Sequence, residues 1–320
     1  MPASLSFGVF PLGLAGAPGG VASGPADDFS QIGRALQRLQ GDGPPLLVRM
    51  YINWPGRAGT AGALAAVAGL VAQPVSWDLV LCYRDPNGDL AAWEEFVSRV
   101  VRGHGHQLAA VQVTGEANLT GIPAAADGAF PHAAGALVRG VLAAADAKRR
   151  SGASAAIGFA VAPEVDPAGS AFWPAVAELG GSRFAAAVDY AGLDMYPDVF
   201  GPRVELGQLD AAVGWLLGSF RRQVLPIAGI GPAVPIRICE NGWPTGPGRS
   251  PARQADVLET VLRAVHARRG EFGVTHWELF TLRDADSSND DLFHQFGVLR
   301  DDYSPKPAFD RLCGLFAELR

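Results

Sequence analysis

The 320-residue sequence has few cysteines, few charges and no long apolar run. Its three cysteines, Cys82, Cys239 and Cys313, are odd in number and lack the spacing of metal ligands. They argue against a disulfide framework and predict reduced, mostly buried thiols. No window approaches about 18 uninterrupted apolar residues, so no membrane span is expected. The net charge of −6, from 26 basic and 32 acidic residues, leaves no basic patch for a nucleic acid.

The first twenty residues contain an apolar stretch without a basic n-region, and Pro11 and several glycines interrupt it. This pattern argues against a secretory signal peptide. A cytoplasmic location is therefore expected, unless a signal peptide has been removed.

Apolar strand-like runs alternate with helical stretches rich in alanine, leucine and arginine along the whole chain. Strands are predicted at 4–10, 46–52, 77–83, 108–114, 154–161, 187–195, 235–240 and 273–280. Helices are predicted near 27–40, 60–72, 89–103, 132–150, 170–181, 205–223, 251–269 and 305–319. Two of these helices have serine followed by proline at the expected start, at Ser250-Pro251 and Ser304-Pro305.

Strict alternation of strands and helices at this length predicts an α/β fold, a (β/α)8 TIM barrel that occupies residues 1–320 as a single domain. The alternative is a doubly wound open sheet, which needs a glycine-rich phosphate loop after an early strand. The segment "GLAGAPGG" at 13–20 lacks that pattern, and Pro18 interrupts it. We therefore expect the barrel.

Two glutamates stand where the fourth and seventh predicted strands end. Glu116 lies in "VTGEANL", and Glu240 lies in "RICENGWPTG", where Asn241-Gly242 and Pro244 terminate the strand. Chemistry in such barrels sits at the carboxyl ends of the strands. An acid at that position therefore indicates a functional site.

A pair of carboxylates in an aromatic-lined cleft is what glycoside hydrolysis requires. One carboxyl group protonates the leaving oxygen, and the other attacks the anomeric carbon. Arg49 is expected to keep Glu240 ionised. The aromatic side chains predicted to stack on sugar rings are Trp54, Tyr196, Trp243 and Trp277.

The sequence resembles the large clan of retaining glycoside hydrolases with a (β/α)8 barrel, in which glutamates end strands 4 and 7. "ICENGWPTG" is similar to the nucleophile segments of the β-glucosidase and β-1,3-glucanase branches. Arg49, Tyr196 and Trp277 match the clan's arginine on strand 2, tyrosine on strand 6 and tryptophan on strand 8. The resemblance implies that Glu116 is the acid/base and Glu240 the nucleophile, with Trp277 as the floor of the sugar subsite.

One position departs from the clan, which usually has asparagine immediately before the acid/base. That amide holds the 2-hydroxyl of the sugar, and here the position is Gly115. Either the substrate is not an ordinary gluco-configured β-glycoside, or a neighbouring amide replaces the missing one. The candidates for this role are Asn53 and Asn118.

The expected function is that of a hydrolase of carbohydrate metabolism, a retaining glycosidase with a carbohydrate substrate, no cofactor and no bound metal. "HGH" at 104–106 has the spacing of a metal pair, but it precedes strand 4 at the barrel's bottom. The alternatives are a non-catalytic carbohydrate-binding barrel, which Gly115 favours, and a transglycosylase. The sugar, the choice between endo and exo attack and the oligomeric state stay open.

Overall fold

The computed structural model describes residues 4–167 and 169–320. Ten strands are found in these residues: β1 (Ser6–Phe10), β2 (Ala15–Ala17), β3 (Gly20–Ala22), β4 (Leu47–Trp54), β5 (Ser76–Tyr83), β6 (Leu108–Val113), β7 (Ala156–Val161), β8 (Tyr190–Asp194), β9 (Ile236–Asn241) and β10 (Val274–Phe280). All eight predicted strands are present. The short antiparallel hairpin β2–β3 was not predicted.

The longer helices also follow the predicted alternation: α1 (Phe29–Gln40), α2 (Thr60–Val71), α3 (Leu90–His104), α4 (Ala133–Ser151), α5 (Phe172–Ala187), α6 (Leu209–Ser219), α8 (Pro251–Phe272) and α9 (Pro307–Leu319). A π-helical turn, Phe220–Val224, continues α6 into the one-turn helix α7 (Leu225–Ile227). Among the described residues, no helix is long and apolar enough to cross a membrane.

Eight strands close into a parallel barrel in the order β1-β10-β9-β8-β7-β6-β5-β4, and the predicted (β/α)8 fold is confirmed. Each strand joins the next through a helix, as parallel neighbours require. In the register of β1 and β10, Gly8 lies beside Glu278. A Cβ at Gly8 would lie 2.7 Å from Glu278 Cγ, so this position needs glycine.

One compact unit comprises the chain up to Leu46, Met195–Gly218 and Arg237–Arg320. Its core joins the outer side of β1 and β10 to the last helix. Phe7 stacks on Phe316 of α9 with ring centroids 4.1 Å apart, and Trp277 meets the same ring edge-on. Apolar burial of this kind is the main stabilising term for the unit.

The other compact unit comprises Leu47–Asp194 and Ser219–Ile236. Behind β4 and β5, the rings of Trp54, Tyr83, Trp93 and Phe96 pack against one another with centroids 5.4–6.0 Å apart. These buried rings secure α3 against the strands that lead to the loops described below.

One of the two predicted serine-proline helix starts is confirmed. Ser250 caps α8, because its hydroxyl accepts a hydrogen bond from the Arg253 N–H, and Pro251 is the first helical residue. The start predicted at Ser304-Pro305 is wrong, since α9 begins at Pro307. Pro305 instead pairs with Leu299 in an isolated bridge. Lys306 is buried and donates to Asp284 and Thr245, both at 2.8 Å. This buried ion pair holds the residue immediately before α9.

The predicted burial of the thiols is largely confirmed. Cys82 and Cys239 are buried and Cys313 is half-buried. Burial raises the pKa of the Cys82 thiol to about 12. This thiol therefore stays protonated at neutral pH.

Candidate active site

Glu240 is the fifth residue of β9 and stands half-buried at the carboxyl end of that strand. Its backbone carbonyl accepts a hydrogen bond from the Met195 N–H at 2.8 Å, which fixes it beside the segment that follows β8. The hydroxyl of Tyr196 donates to Glu240 Oε2 at 2.6 Å. The structure thus brings together Tyr196 and Glu240, two of the residues selected from the sequence.

The residues after Glu240 explain the strand ending "ENG". The Asn241 amide donates to the Met195 carbonyl at 2.6 Å, and this side chain is buried. At Gly242 an added Cβ would lie only 1.8 Å from the Phe280 carbonyl oxygen. Glycine is required there because the backbone of β10 approaches so closely. Both contacts hold Glu240 in a fixed position.

Phenylalanine side chains form the aromatic surroundings of Tyr196. Its ring lies edge-on to Phe200, Phe280 and Phe296, with centroids 5.4, 6.1 and 5.8 Å away. Phe293 extends the same cluster and stacks on Phe200 at 5.8 Å. We call Tyr196, Phe200, Phe280, Phe293 and Phe296 the aromatic wall. Its residues come from two loops and one strand end, the loops after β8 and β10 and the end of β10, so no single local motif contains it.

The three tryptophans predicted to stack on sugar are buried elsewhere. Trp277 is 0% exposed and faces Phe316, and Trp54 is 0% exposed within the ring cluster behind β4 and β5. Trp243 is 3% exposed, and its indole N–H donates to Asp198 at 3.2 Å. The guanidinium of Arg249 lies 4.8 Å above the same ring. These positions correct the predicted stacking role, because no indole face is open to a substrate.

Glu116 is half-buried and follows β6 directly, in a strained backbone segment. Thr114 has φ 65° and Glu116 has φ 45°, values that residues other than glycine rarely adopt. Each such residue costs on the order of 1–3 kcal/mol, and strain of this kind clusters at functional sites. The strain marks this strand end as a candidate for catalysis.

A buried carboxylate, Asp127, holds the strained segment in place. One of its oxygens, Oδ2, accepts the N–H of Gly115 at 2.8 Å and the N–H of Tyr83 at 2.7 Å. The Asp127 N–H donates back to the Gly115 carbonyl at 2.7 Å. Arg84 Nε lies 3.1 Å from the other carboxylate oxygen, Oδ1. Asp127 therefore clamps the loop that follows Glu116 onto the end of β6.

The two candidate amides differ in availability. The Asn118 amide donates to the Ala162 carbonyl at 2.8 Å and to Glu164 at 2.9 Å, and its oxygen accepts the Ala162 N–H at 3.0 Å. These bonds join the loops after β6 and β7 and use both hydrogens of the amide, and the predicted role toward substrate stays a prediction. Asn53 is exposed near the carboxyl end of β4. Asn53 is therefore the better candidate to replace the missing amide.

Arg49 is fully buried in β4 and takes part in a polar network. It donates to the Tyr51 hydroxyl at 2.8 Å, to Asp78 at 3.3 Å and to Gln112 at 2.7 Å. The Gln112 amide in turn donates to the Thr114 carbonyl at 2.8 Å. The network ends at the segment that carries Glu116. The predicted effect of Arg49 on Glu240 stays a prediction.

Solved structures with the same barrel include several glycoside hydrolases. A family 1 β-glucosidase from Thermotoga maritima is 12% identical with a TM-score of 0.62, over 99% of this chain and 98% of that chain. A β-glucosidase from Exiguobacterium marinum is 13% identical with a TM-score of 0.60, over 91% and 86%. A β-glucuronidase from Ruminococcus gnavus, in complex with D-glucuronic acid, is 13% identical with a TM-score of 0.62.

The chain shares the barrel fold of these enzymes. The match to the Ruminococcus gnavus glucuronidase covers 98% of this chain but only 49% of that protein. The chain therefore spans about half the length of that glucuronidase. No protein-family model matches the sequence. The search of curated proteins found no match either. At these identities the likeness shows the fold alone.

Asp127 and the four phenylalanines of the aromatic wall are candidate functional residues that the sequence prediction missed. Asp127 begins the short 3-10 turn Asp127–Ala129 and belongs to no sequence motif. The sequence does contain a signal for Phe280, since alternate residues of a strand face the same side of the sheet. His276, Glu278 and Phe280 therefore share one face of β10, and Trp277 lies on the other. Strand periodicity would have selected Phe280 in place of Trp277.

Replacing Asp127 tests the clamp through stability. We expect Asp127→Ala to lower the free energy of unfolding by about 2–5 kcal/mol, because two buried N–H groups lose their acceptor. Asp127→Asn should cost less, since one amide oxygen still accepts. Urea titrations measure both values. Asp42→Asn, at an exposed position, is the control. An Asp127→Ala protein as stable as the control would show that the clamp contributes nothing.

The same variants carry a pH signature. Burial raises the pKa of Asp127 from 3.8 to about 7, against the opposing effects of Arg84 and the N–H bonds from Gly115 and Tyr83. The folded state then holds this proton more tightly than the unfolded state does. The contribution of Asp127 to stability should therefore fall as pH rises from about 4 to about 7. The stability difference between wild type and Asp127→Asn should decline across that range.

Proposed function

We propose that the protein is a retaining β-glycoside hydrolase in which Glu240 is the nucleophile and Glu116 the acid/base. The observation that supports this most directly is the Glu240 carboxylate, half-buried at a strand's carboxyl end and bonded to the Tyr196 hydroxyl at 2.6 Å. Glu116 stands half-buried at the carboxyl end of its own strand in a strained segment. The glycosidase folds among the structural neighbours agree with the proposal.

The proposed reaction has two displacement steps. Glu240 attacks the anomeric carbon while Glu116 gives its proton to the departing oxygen, which yields a covalent glycosyl ester and a free alcohol. Glu116 then takes a proton from water, the water oxygen attacks the anomeric carbon, and Glu240 leaves as a carboxylate. The Tyr196 hydroxyl orients Glu240 for the attack. The proposed reaction uses no cofactor or metal.

A non-catalytic carbohydrate-binding barrel is the second candidate. Gly115 favours it, because the clan's amide contact to the 2-hydroxyl is missing. A transglycosylase would use the same residues, with a sugar hydroxyl in place of water in the second step. Product analysis with and without an added acceptor sugar distinguishes a hydrolase from a transglycosylase.

A screen of aryl glycosides tests the proposal. The panel includes β-glucosides and β-glucuronides, together with furanosides and glycosides with larger 2-substituents, and Glu240→Gln serves as the blank. We expect the wild type to cleave at least one of these substrates and Glu240→Gln to cleave none of them. Proton NMR should then show the β-anomer as the first product. Absence of turnover across the panel, with measurable sugar binding, would favour the non-catalytic barrel.

Gly115 gives a prediction about the sugar's 2-position. Its backbone lies outside the left-handed region, and an added Cβ would lie 3.6 Å from Cys82 Sγ, an ordinary contact. A Cβ is therefore tolerated there. Because a 2-hydroxyl contact strengthens in the transition state, we expect Gly115→Asn to raise kcat/KM for 2-hydroxy aryl glucosides by about tenfold. The 2-deoxy analogue should gain nothing.

Gly115→Ala is the matched control, since it adds Cβ without an amide. Equal gains for Gly115→Ala and Gly115→Asn would assign the effect to backbone stiffness. A wild type that already discriminates strongly against the 2-deoxy substrate would show that another residue, such as Asn53, makes the contact. In that case Gly115 carries no information about specificity.

A further inference from the structure

The aromatic wall runs outward from the strand end to an exposed ring. Phe280, at the end of β10, meets Phe296 at 5.7 Å, and Phe296 meets both Phe293 and Phe200 at 6.3 and 6.2 Å. From Phe296 outward the exposure rises: Phe296 is 2% exposed, Phe293 is half-buried and Phe200 is 59% exposed. The outer pair, Phe200 and Phe293, is stacked with an interplanar angle of 21°.

An exposed phenylalanine held in a stack is unusual on a protein surface. A ring that is 59% exposed gains little from burial, yet Phe200 contacts three aromatic neighbours in fixed geometry: Tyr196, Phe293 and Phe296. The other highly exposed phenylalanine, Phe29, is at the first turn of α1 and is 74% exposed. Apolar surface that is ordered and open next to a reactive group indicates a binding surface.

Tyr196 connects this surface to Glu240. The ring of Tyr196 is 5.4 Å from that of Phe200, and its hydroxyl bonds the Glu240 carboxylate at 2.6 Å. The exposed pair is therefore one side chain away from the proposed nucleophile. A substrate whose anomeric carbon contacts Glu240 would therefore lie within reach of the exposed pair.

We infer that Phe200 and Phe293 form an apolar subsite for the leaving group, and that the enzyme favours glycosides of alkyl or aryl alcohols over disaccharides. This inference rests on the proposed function. The rings of Phe200, Phe280, Phe293 and Phe296 offer no hydrogen-bond donor or acceptor. A second sugar can stack one apolar face on these rings, but its hydroxyl groups gain no partner there, whereas an alkyl chain or an aromatic ring buries more apolar surface in the same contact.

The test compares hexyl and methyl glycosides of the sugar that the wild type cleaves best. Both leaving groups are simple alcohols, so the kcat/KM ratio reports the apolar contact. We expect a wild-type ratio well above one. Phe200→Ser should lower that ratio about fivefold or more, because the hexyl chain loses the face it covers. Phe200→Leu, which keeps an apolar side chain, should retain most of the ratio.

Phe29→Ser is the matched control, since it removes an exposed ring outside the proposed site, and its ratio should equal that of the wild type. Calorimetry with Glu240→Gln provides a second readout, because intact hexyl glycoside then binds without turnover. A hexyl-to-methyl ratio unchanged in Phe200→Ser overturns the subsite while the hydrolase stands. A wild type that cleaves no glycoside instead overturns the proposed function.

Discussion

Glu240→Gln is expected to lose hydrolysis of every glycoside that the wild type cleaves, by on the order of 10⁵-fold or more in kcat. The amide has the shape of the carboxylate and still accepts the Tyr196 hydroxyl, so folding should be preserved. It cannot form the glycosyl ester. Glu178→Gln, on the exposed side of α5, is the matched control and should retain wild-type rates.

A second variant at position 240 shows that the lost step is the attack on the anomeric carbon. Glu240→Ala leaves space at the end of β9, and added azide can attack the anomeric carbon of an activated aryl glycoside as the phenolate leaves. The expected product is an α-glycosyl azide, because a single displacement inverts the configuration. A Glu240→Ala protein that hydrolyses glycosides as the wild type does would remove Glu240 from the mechanism.

The strands and helices could be predicted because each carries its own periodicity. The carboxyl ends of the fourth and seventh strands could also be located, and with them Glu116 and Glu240. Residue type and motif select Trp54, Trp243 and Trp277 for stacking on sugar rings, but they do not show which side of the strand or loop each side chain faces. The burial of each indole depends on residues that are distant in sequence, such as Phe316 for Trp277.

The outer rings of the aromatic wall, Phe200 and Phe293, and the Asp127 clamp could not be predicted for a related reason. Phe200 and Phe293 meet across more than ninety positions of the chain, and their stacking depends on how two loops fold. Asp127 acts on Gly115 from the far end of an irregular loop. Contacts between loops are set by tertiary structure, and local sequence patterns report them poorly.

Glu116→Ala is expected to separate substrates by their leaving group. With 2,4-dinitrophenyl glycosides the first step needs no proton, so kcat/KM should fall little. With alkyl glycosides the departing alkoxide needs the proton from Glu116, and we expect a loss of about 10²–10⁴-fold. Alanine is preferred to glycine here, because glycine would also release the positive φ of 45° and change the backbone.

The second step gives an independent signature of the same variant. Without a general base, the glycosyl ester on Glu240 should accumulate after a burst of dinitrophenolate. Azide needs no base, so it should speed turnover and yield a β-glycosyl azide, the opposite anomer to that from Glu240→Ala. Glu164→Ala is the matched control, because it removes another carboxylate, one that accepts a hydrogen bond from Asn118. A structural role for Glu116 would lower all rates by the same factor, and no azide product would form.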